Sequence, residues 1–314
     1  MKTEIAKDME RAGNLIRYDA QCKKVLSNTY ILAWIMKTVI QEYEGLSIEA
    51  IRQCIENEPQ VGQVPVDPGK WTKEKIEGLR TEDKDAEEGA ITYDILFKAY
   101  VPEGIGWEKI LVDIEAQQNF NPGYAIPARG NYYGSRLISS QKGTEFTGSE
   151  YDNIKKVYSI WICLDAPKYV GNAISIYQTE KVDLFGSIPA QEKSYKKMFV
   201  VMICLNEKVP REKGFFDMMN TLLSPTLNIE TKKAILEKEY QIPMENKYAK
   251  EVESMGGFSQ WVLGMGIEQG IEQEKRSIVR NLLKEGVSNE LILKVTEMSE
   301  EQLEEIKEEV LCAV

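Results

Sequence analysis

The run Met198-Phe199-Val200-Val201-Met202-Ile203-Cys204-Leu205 contains almost no polar side chain. A strand that is apolar on both of its alternating faces must be covered on both, so it belongs inside a sheet with helices above and below. The rest of the chain has to supply that cover. Two more strand-like runs, 157–164 (VYSIWICL) and 172–181 (NAISIYQTEK), come before it. Segments 89–101 (GAITYDILFKAYV) and 108–118 (EKILVDIEAQQ) also read as strands, and Gly104 and Gly106 between them predict an antiparallel hairpin. Leu32, Met36, Val39, Ile40 and Tyr43 recur at helical spacing and predict a helix over 28–45 that stops at Gly45. Residues 128–142 read as a second helix and 149–156 as a short third one. Residues 57–89, broken by Pro59, Pro65, Pro68 and three glycines, read mostly as irregular, with a short strand or helical turn over 70–79. Beyond residue 210 every periodic segment is helical. This order predicts a mixed α/β domain over residues 1–245 and an all-helical tail over 246–314.

Composition removes whole classes of chemistry. Among 314 residues there is no histidine, so no Ser-His-Asp triad, His-ligated metal or histidine general base can be built. Five scattered cysteines without a C-x-x-C pair fit reduced cytosolic thiols. The start of the chain carries Lys2, Glu4, Asp8 and Glu10 with no apolar stretch after them, and no apolar run approaches the ~20 residues needed to span a bilayer. The expectation is a cytoplasmic protein with no membrane partner.

The remaining chemistry lies with carboxylates. Alternation along 108–118 puts Leu111, Asp113, Glu115 and Gln117 on one face and Val112, Ile114 and Ala116 on the other. Asp94 sits in the neighbouring run among Ile91, Tyr93, Ile95, Leu96 and Phe97, where an acid is costly to bury unless it is paired. A hairpin would bring Asp94 and Glu115 together, and a hard divalent cation, Mg²⁺ or Mn²⁺, relieves repulsion of that kind. Solvated acids at strand ends are the alternative, and Asp113 reads as a strand-end surface residue or an auxiliary acid.

The chain carries −11 overall, yet residues 119–200 hold ten basic and seven acidic groups, a local +3 directly after the hairpin. Within it Arg129, Tyr132, Tyr133 and Arg136 share one helical face. They suit phosphate contact by the arginines, or equally tyrosines packed on a sheet with arginines reaching outward. Gln141 at that helix's end and Glu42, beside Glu44 at the end of the first helix, are candidate supports for the carboxylates. Glu82, Glu87 and Glu88 read as a solvated charge run.

Asp94 within Tyr93-Asp94-Ile95-Leu96-Phe97, then Ile114-Glu115-Ala116-Gln117, then Arg129 with Tyr132, Tyr133 and Arg136, resembles the PD-(D/E)XK nuclease superfamily. The pattern is similar to its Rpn-like branch of recombination-promoting nucleases and transposases, and the likeness covers roughly residues 25–312. It implies a restriction-endonuclease-like core with a central mixed sheet flanked by helices. It also implies Mg²⁺- or Mn²⁺-dependent endonuclease activity on DNA, a link to recombination or mobile elements, and Asp94, Glu115 and the Ala116 carbonyl as metal ligands. Gln117 stands where the superfamily usually has lysine, as is common in this branch. It would position the attacking water without adding charge. Arg129, Tyr133 and Arg136 would meet the substrate.

The tail contains the repeat GIEQ-GIEQ at 266–273 and a helix-turn-helix-like stretch in which Ser299 and Gln302 form a capping-box pattern. Its last helix, SEEQLEEIKEE, would repel phosphates, so the tail reads as an interaction or homo-oligomerisation element. Two rival readings remain beside the nuclease. One is a catalytically degenerate nuclease-fold scaffold. The other is a DDE-type transposase, which lacks a clear third acid on a late helix.

Overall fold

The computed structural model describes residues 18–61, 65–66, 82–85, 89–209, 212–245, 247–256, 275–283, 287–296, 298, 303–304 and 306–307. The chain divides into two units, Met1–Gly256 and Gly257–Val314. Helix α1 (residues 18–26) opens the first unit. Helix α2 (Thr29–Val39) begins where Asn28 accepts a capping bond from the Tyr30 N–H, and it buries Leu32, Ile35, Met36 and Val39 at the predicted spacing. A 3₁₀ turn at Gln41–Tyr43 and α3 (Ile48–Gln53) follow.

Strand β1 (Ile55–Val61) is a difference from the sequence reading, which left this stretch irregular. Pro59 and a register shift between Glu56 and Gln60, with Asn57 at φ +62°, destroy its alternation, yet it pairs antiparallel with the hairpin. Short strands β2 (Pro65–Val66), β3 (Glu82–Asp85) and β4 (Gly89–Thr92) form a separate small sheet. The segment predicted as one strand over 89–101 is therefore broken at Tyr93 and Asp94, and β5 (Ile95–Glu103) starts anew. The predicted hairpin is present: β5 pairs antiparallel with β6 (Gly106–Gln117), and Gly104 turns it at φ +58°.

From β6 the chain crosses through α4 (Ile126–Ser140) to β7 (Lys156–Cys163), which runs parallel to β6. The helix predicted over 149–156 is only a 3₁₀ turn at Tyr151–Asn153. The Gln141 side chain prevents more, because its amide grips the Lys155 backbone at both N–H (2.7 Å) and C=O (3.1 Å) and feeds the chain into β7 extended.

Strand β8 (Ala173–Gln178), helix α5 (Glu192–Tyr195) and β9 (Met198–Cys204) complete the main sheet, whose order is β1-β5-β6-β7-β9-β8. The apolar run of β9 lies inside this mixed six-stranded sheet, parallel to β7 and antiparallel to the edge strand β8. Helix α4 covers β7 and β9 on one face, while Tyr158 and Phe199 stack at 4.6 Å on the other. Helices α6 (Phe215–Leu223), α7 (Ile229–Tyr240) and α8 (residues 247–256) finish this unit. Tyr248 of α8 donates its buried hydroxyl to the Val25 carbonyl of α1 at 3.1 Å, so the first unit reaches past residue 245 to Gly256.

In the second unit, helices over 275–283 and Asn289–Thr296 and residues 298, 303–304 and 306–307 share a small core of Val279, Ile292, Met298, Leu303 and Ile306. The GIEQ repeat, the capping-box pair Ser299 and Gln302, the segment 70–79, and Glu87 and Glu88 lie outside the described residues. Among the described residues no helix is long and apolar enough to cross a membrane.

Helix α4 can reach the sheet because two of its residues have no side chain. A Cβ at Gly130 would collide with Val200 Cγ1 and come within 3.0 Å of Trp161 Nε1, and one at Gly134 would come within 2.9 Å of Met198 Sδ. Both obstacles under Gly130 are core atoms. Gly130→Ala is therefore expected to destabilise the fold by about 1–3 kcal/mol through overpacking, despite alanine's better helix propensity. Chemical denaturation of the two proteins, read at matched m-values, checks this.

Candidate functional site

The face of the sheet under α4 is built from alternate residues of β6 and β7. Asp113 lies opposite Ser159, Glu115 opposite Trp161 and Gln117 opposite Cys163. Below them Leu111, Val157, Leu137 and Val200 make an apolar floor. Beyond that floor, polar residues take over this face as it approaches the ends of β6 and β7.

Asp94 joins Glu115 through the way the hairpin ends. The last ladder pair is Ile95 with Ile114. Beyond it the backbones part and side chains take over their hydrogen bonds. The Asp94 N–H donates to Glu115 Oε1 at 2.9 Å, and the Ala116 N–H donates to Asp94 Oδ2 at 3.0 Å. Each acid therefore satisfies a backbone donor that the sheet has released. The other oxygen of Asp94 meets the Lys23 ammonium at 2.7 Å, and Lys23 also pairs with Asp19 at 2.5 Å.

Asp113 is fully buried, which overturns its reading as a strand-end surface residue. Its Oδ2 accepts from Ser159 at 2.9 Å, and Ser159 accepts in turn from Trp161 Nε1 at 3.0 Å. Its Oδ1 has no hydrogen-bond partner among the described residues. Asp113 and Glu115 lie two residues apart on the same face of β6, so a charge on Asp113 opposes ionisation of Glu115. Burial pushes Asp113 up to about 8, against the pull of Glu115 and Ser159 hydrogen bonds, and Asp94 adds to the rise. Burial also raises Glu115 well above the carboxylate range, reinforced by Asp113 and Asp94. Asp94 is raised by burial, and Lys23 opposes that rise.

Arg129 supplies the second nearby cation. Its guanidinium donates to the Tyr133 hydroxyl at 2.7 Å and to the Tyr124 hydroxyl, and lies 5.3 Å from the Trp161 ring. Tyr133 is buried edge-on to both Tyr93 (5.3 Å) and Trp161 (5.2 Å). Burial and the charge on Glu115 push its hydroxyl up to about 12, although Arg129 pulls the other way. Of the expectations for this helix face, tyrosine packing on the sheet holds for Tyr133, and Arg129 lies close enough to Asp113 to lower it. Tyr132 is exposed, and Arg136 lies two helical turns beyond Arg129, buried, with its guanidinium 6.0 Å from the Tyr132 ring. Gln117 is half-buried beyond Glu115, and its amide donates to the Asn119 carbonyl at 2.9 Å.

Two candidates belong elsewhere. Glu42 pairs with Lys156 at 2.6 Å and accepts from the Tyr158 hydroxyl at 3.2 Å, and Gln141 holds Lys155. Both therefore sit at the start of β7, whereas Glu115 and Gln117 lie opposite its end, five or more residues along at about 3.3 Å each. Glu44 is exposed. The sequence reading missed Ser159, Trp161 and Lys23. A lone serine inside VYSIWICL was a usable signal for the first, because a hydroxyl in such a strand needs a partner. Lys23 gave no signal, since its role depends on where α1 lies.

The donor chemistry, hard carboxylate oxygens with one orphaned buried oxygen on Asp113, suits a divalent cation. Among the described residues no three acidic or thiol side chains are arranged around a common point. An ion would therefore have to be held by Asp94 and Glu115 with backbone oxygen and water, and Lys23 already engages one oxygen of Asp94.

The raised carboxyls fix the sign of a pH effect. A group held above its unfolded value stabilises the fold fully below the unfolded value and loses that stability as pH rises through the folded one. In chelator, the protein should therefore melt at lower temperature as pH goes from about 5 to 8. Asp113→Asn supplies a donor to Glu115 and removes one charge. It should flatten this slope and raise stability at pH 8 by roughly 1–3 kcal/mol; melting curves across that range decide.

No family model matches the sequence, and no curated protein or solved structure matches it.

Proposed function

We propose that this chain is a divalent-metal-dependent phosphodiesterase acting on DNA, an endonuclease of PD-(D/E)XK type. One observation carries the reading: Asp94 and Glu115, from the two arms of one hairpin, are buried together and joined by hydrogen bonds at the sheet's end, beside Arg129. Acids concentrated in this way in a histidine-free chain are poised for a cation and a phosphate.

Asp94 and Glu115 would hold Mg²⁺ or Mn²⁺, which supplies Lewis-acid polarisation of a phosphate and acidification of bound water. Arg129, braced by Tyr124 and Tyr133, offers a fixed guanidinium to a phosphate oxygen. Gln117 orients water through its amide once that amide leaves the Asn119 carbonyl. Asp113 keeps a proton next to Glu115, so the acids can be buried before any cation is present. Beside Tyr124 a cavity of about 300 Å³, lined by Phe120, Ile126, Met202 and Cys204, offers apolar walls to a sugar or base.

A scaffold reading has one observation in its favour, that Gln117 lends its amide to Asn119 and brings no charge. Purified protein should nick supercoiled plasmid with Mg²⁺ or Mn²⁺, and Glu115→Ala should lose on the order of a hundredfold or more of that rate. Equal nicking by the two proteins, or nicking in chelator, overturns the nuclease reading. Arg129→Ala should weaken DNA binding across sequences and reduce the salt slope of log K by about one, measured by fluorescence anisotropy over a range of salt concentrations.

A further inference from the structure

We propose that Lys23 is a working part of the carboxylate site, a tethered cation that occupies Asp94 and must yield it to a divalent ion. This rests on the metal-dependent reading above and names a residue that reading does not contain. At this end strand β6 offers no positive charge to the acids: its outermost polar residue on this face is Gln117, and its one lysine, Lys109, lies toward the other end paired with Glu145. Lys23 fills that gap from a different element. Its ammonium lies 2.7 Å from Asp94 Oδ1, the oxygen left over when Oδ2 accepts from Ala116.

The placement is a built one. Cys22, Val25 and Leu26 of α1 are buried, and the Tyr248 hydroxyl fixes the Val25 carbonyl. Lys23 itself is only one-fifth exposed, and Asp19, one helical turn earlier, holds its ammonium from the solvent side. A surface ion pair would be worth little and would leave Asp94 free to take a cation. A half-buried ammonium between two carboxylates is a direct competitor, because two cations cannot share one carboxylate oxygen without repelling each other.

Lys23 therefore has two positions to serve. It lies against Asp94 when no divalent ion is bound. Displaced from Asp94, it stays tethered to α1 beside Asp19 and can turn its three N–H donors toward a phosphate oxygen near the site. The same residue thus weakens metal binding and strengthens the reaction, and a purely structural ion pair would not have these opposed effects.

The test is calorimetric titration of Mn²⁺ into the full chain, with plasmid nicking at saturating Mn²⁺ as the second readout. Lys23→Gln should bind Mn²⁺ at least about tenfold more tightly than the wild type and nick at least about tenfold more slowly. Lys23→Arg, which keeps the charge, should return the affinity toward the wild-type value. Thermal melts identify a variant that fails to fold, and the Arg variant then carries the comparison through its affinity relative to wild type. Wild-type binding with an unchanged or weaker Lys23→Gln affinity, or undiminished nicking by that variant, overturns the role of Lys23 and leaves the nuclease reading standing. Binding by Lys23→Gln but not by wild type supports the role of Lys23. Absence of binding in both removes the metal reading together with it.

Discussion

The burial of three carboxyls near one end of the main sheet is the constraint around which the rest of the first unit is arranged. Asp94, Asp113 and Glu115 are each less than one-tenth exposed. Charged acids in such a place cost several kcal/mol apiece unless they are neutralised or bonded. The fold answers with different devices for each. Asp94 has a lysine and a backbone N–H, Glu115 has the Asp94 N–H, and Asp113 has a serine and a burial-raised pKa that favours its neutral form. These partners come from α1, the break before β5, β6 and β7, so the acids tie together elements far apart in sequence.

The same constraint explains local irregularities that would otherwise look like defects. The strand pattern over 89–101 breaks at Tyr93 and Asp94 because the ladder ends there, and the freed N–H groups go to carboxylates. Gly130 and Gly134 weaken α4 as a helix, yet without them α4 could not lie close enough to β7 and β9 for Tyr133 to meet Trp161. In both places regular secondary structure is traded for a buried polar arrangement, a pattern expected at functional sites rather than at inert ones.

Much of the frame was legible in the sequence. The hairpin, the β9 run and the helices α2, α4, α6 and α7 follow from periodicity and turn residues, because those signals are local. Strand β1 escaped because Pro59 and a bulge erase alternation, and the tertiary pairing with β5 overrides local propensity. The pair Asp94 and Glu115 was also legible, since a hairpin register can be counted from its turn. Asp113 was misjudged as a surface residue because alternation gives the face on which a side chain lies and not what covers that face. Glu42 and Gln141 are candidates by their places at helix ends, and nothing local fixes which end of a parallel strand a helix terminus reaches.

By itself the sequence determined the available chemistry: no histidine, two acids brought into register by a hairpin, and a locally basic helix after it. It did so because composition and strand pairing depend on neighbours along the chain. Only the tertiary structure decided which groups gather around the three acids. That Lys23, Ser159 and Trp161 belong there, and that Glu42 and Gln141 do not, depends on where α1 and β7 lie against β6. Such long-range packing is set by burial of the whole apolar core and leaves no periodic trace at the residues it brings together.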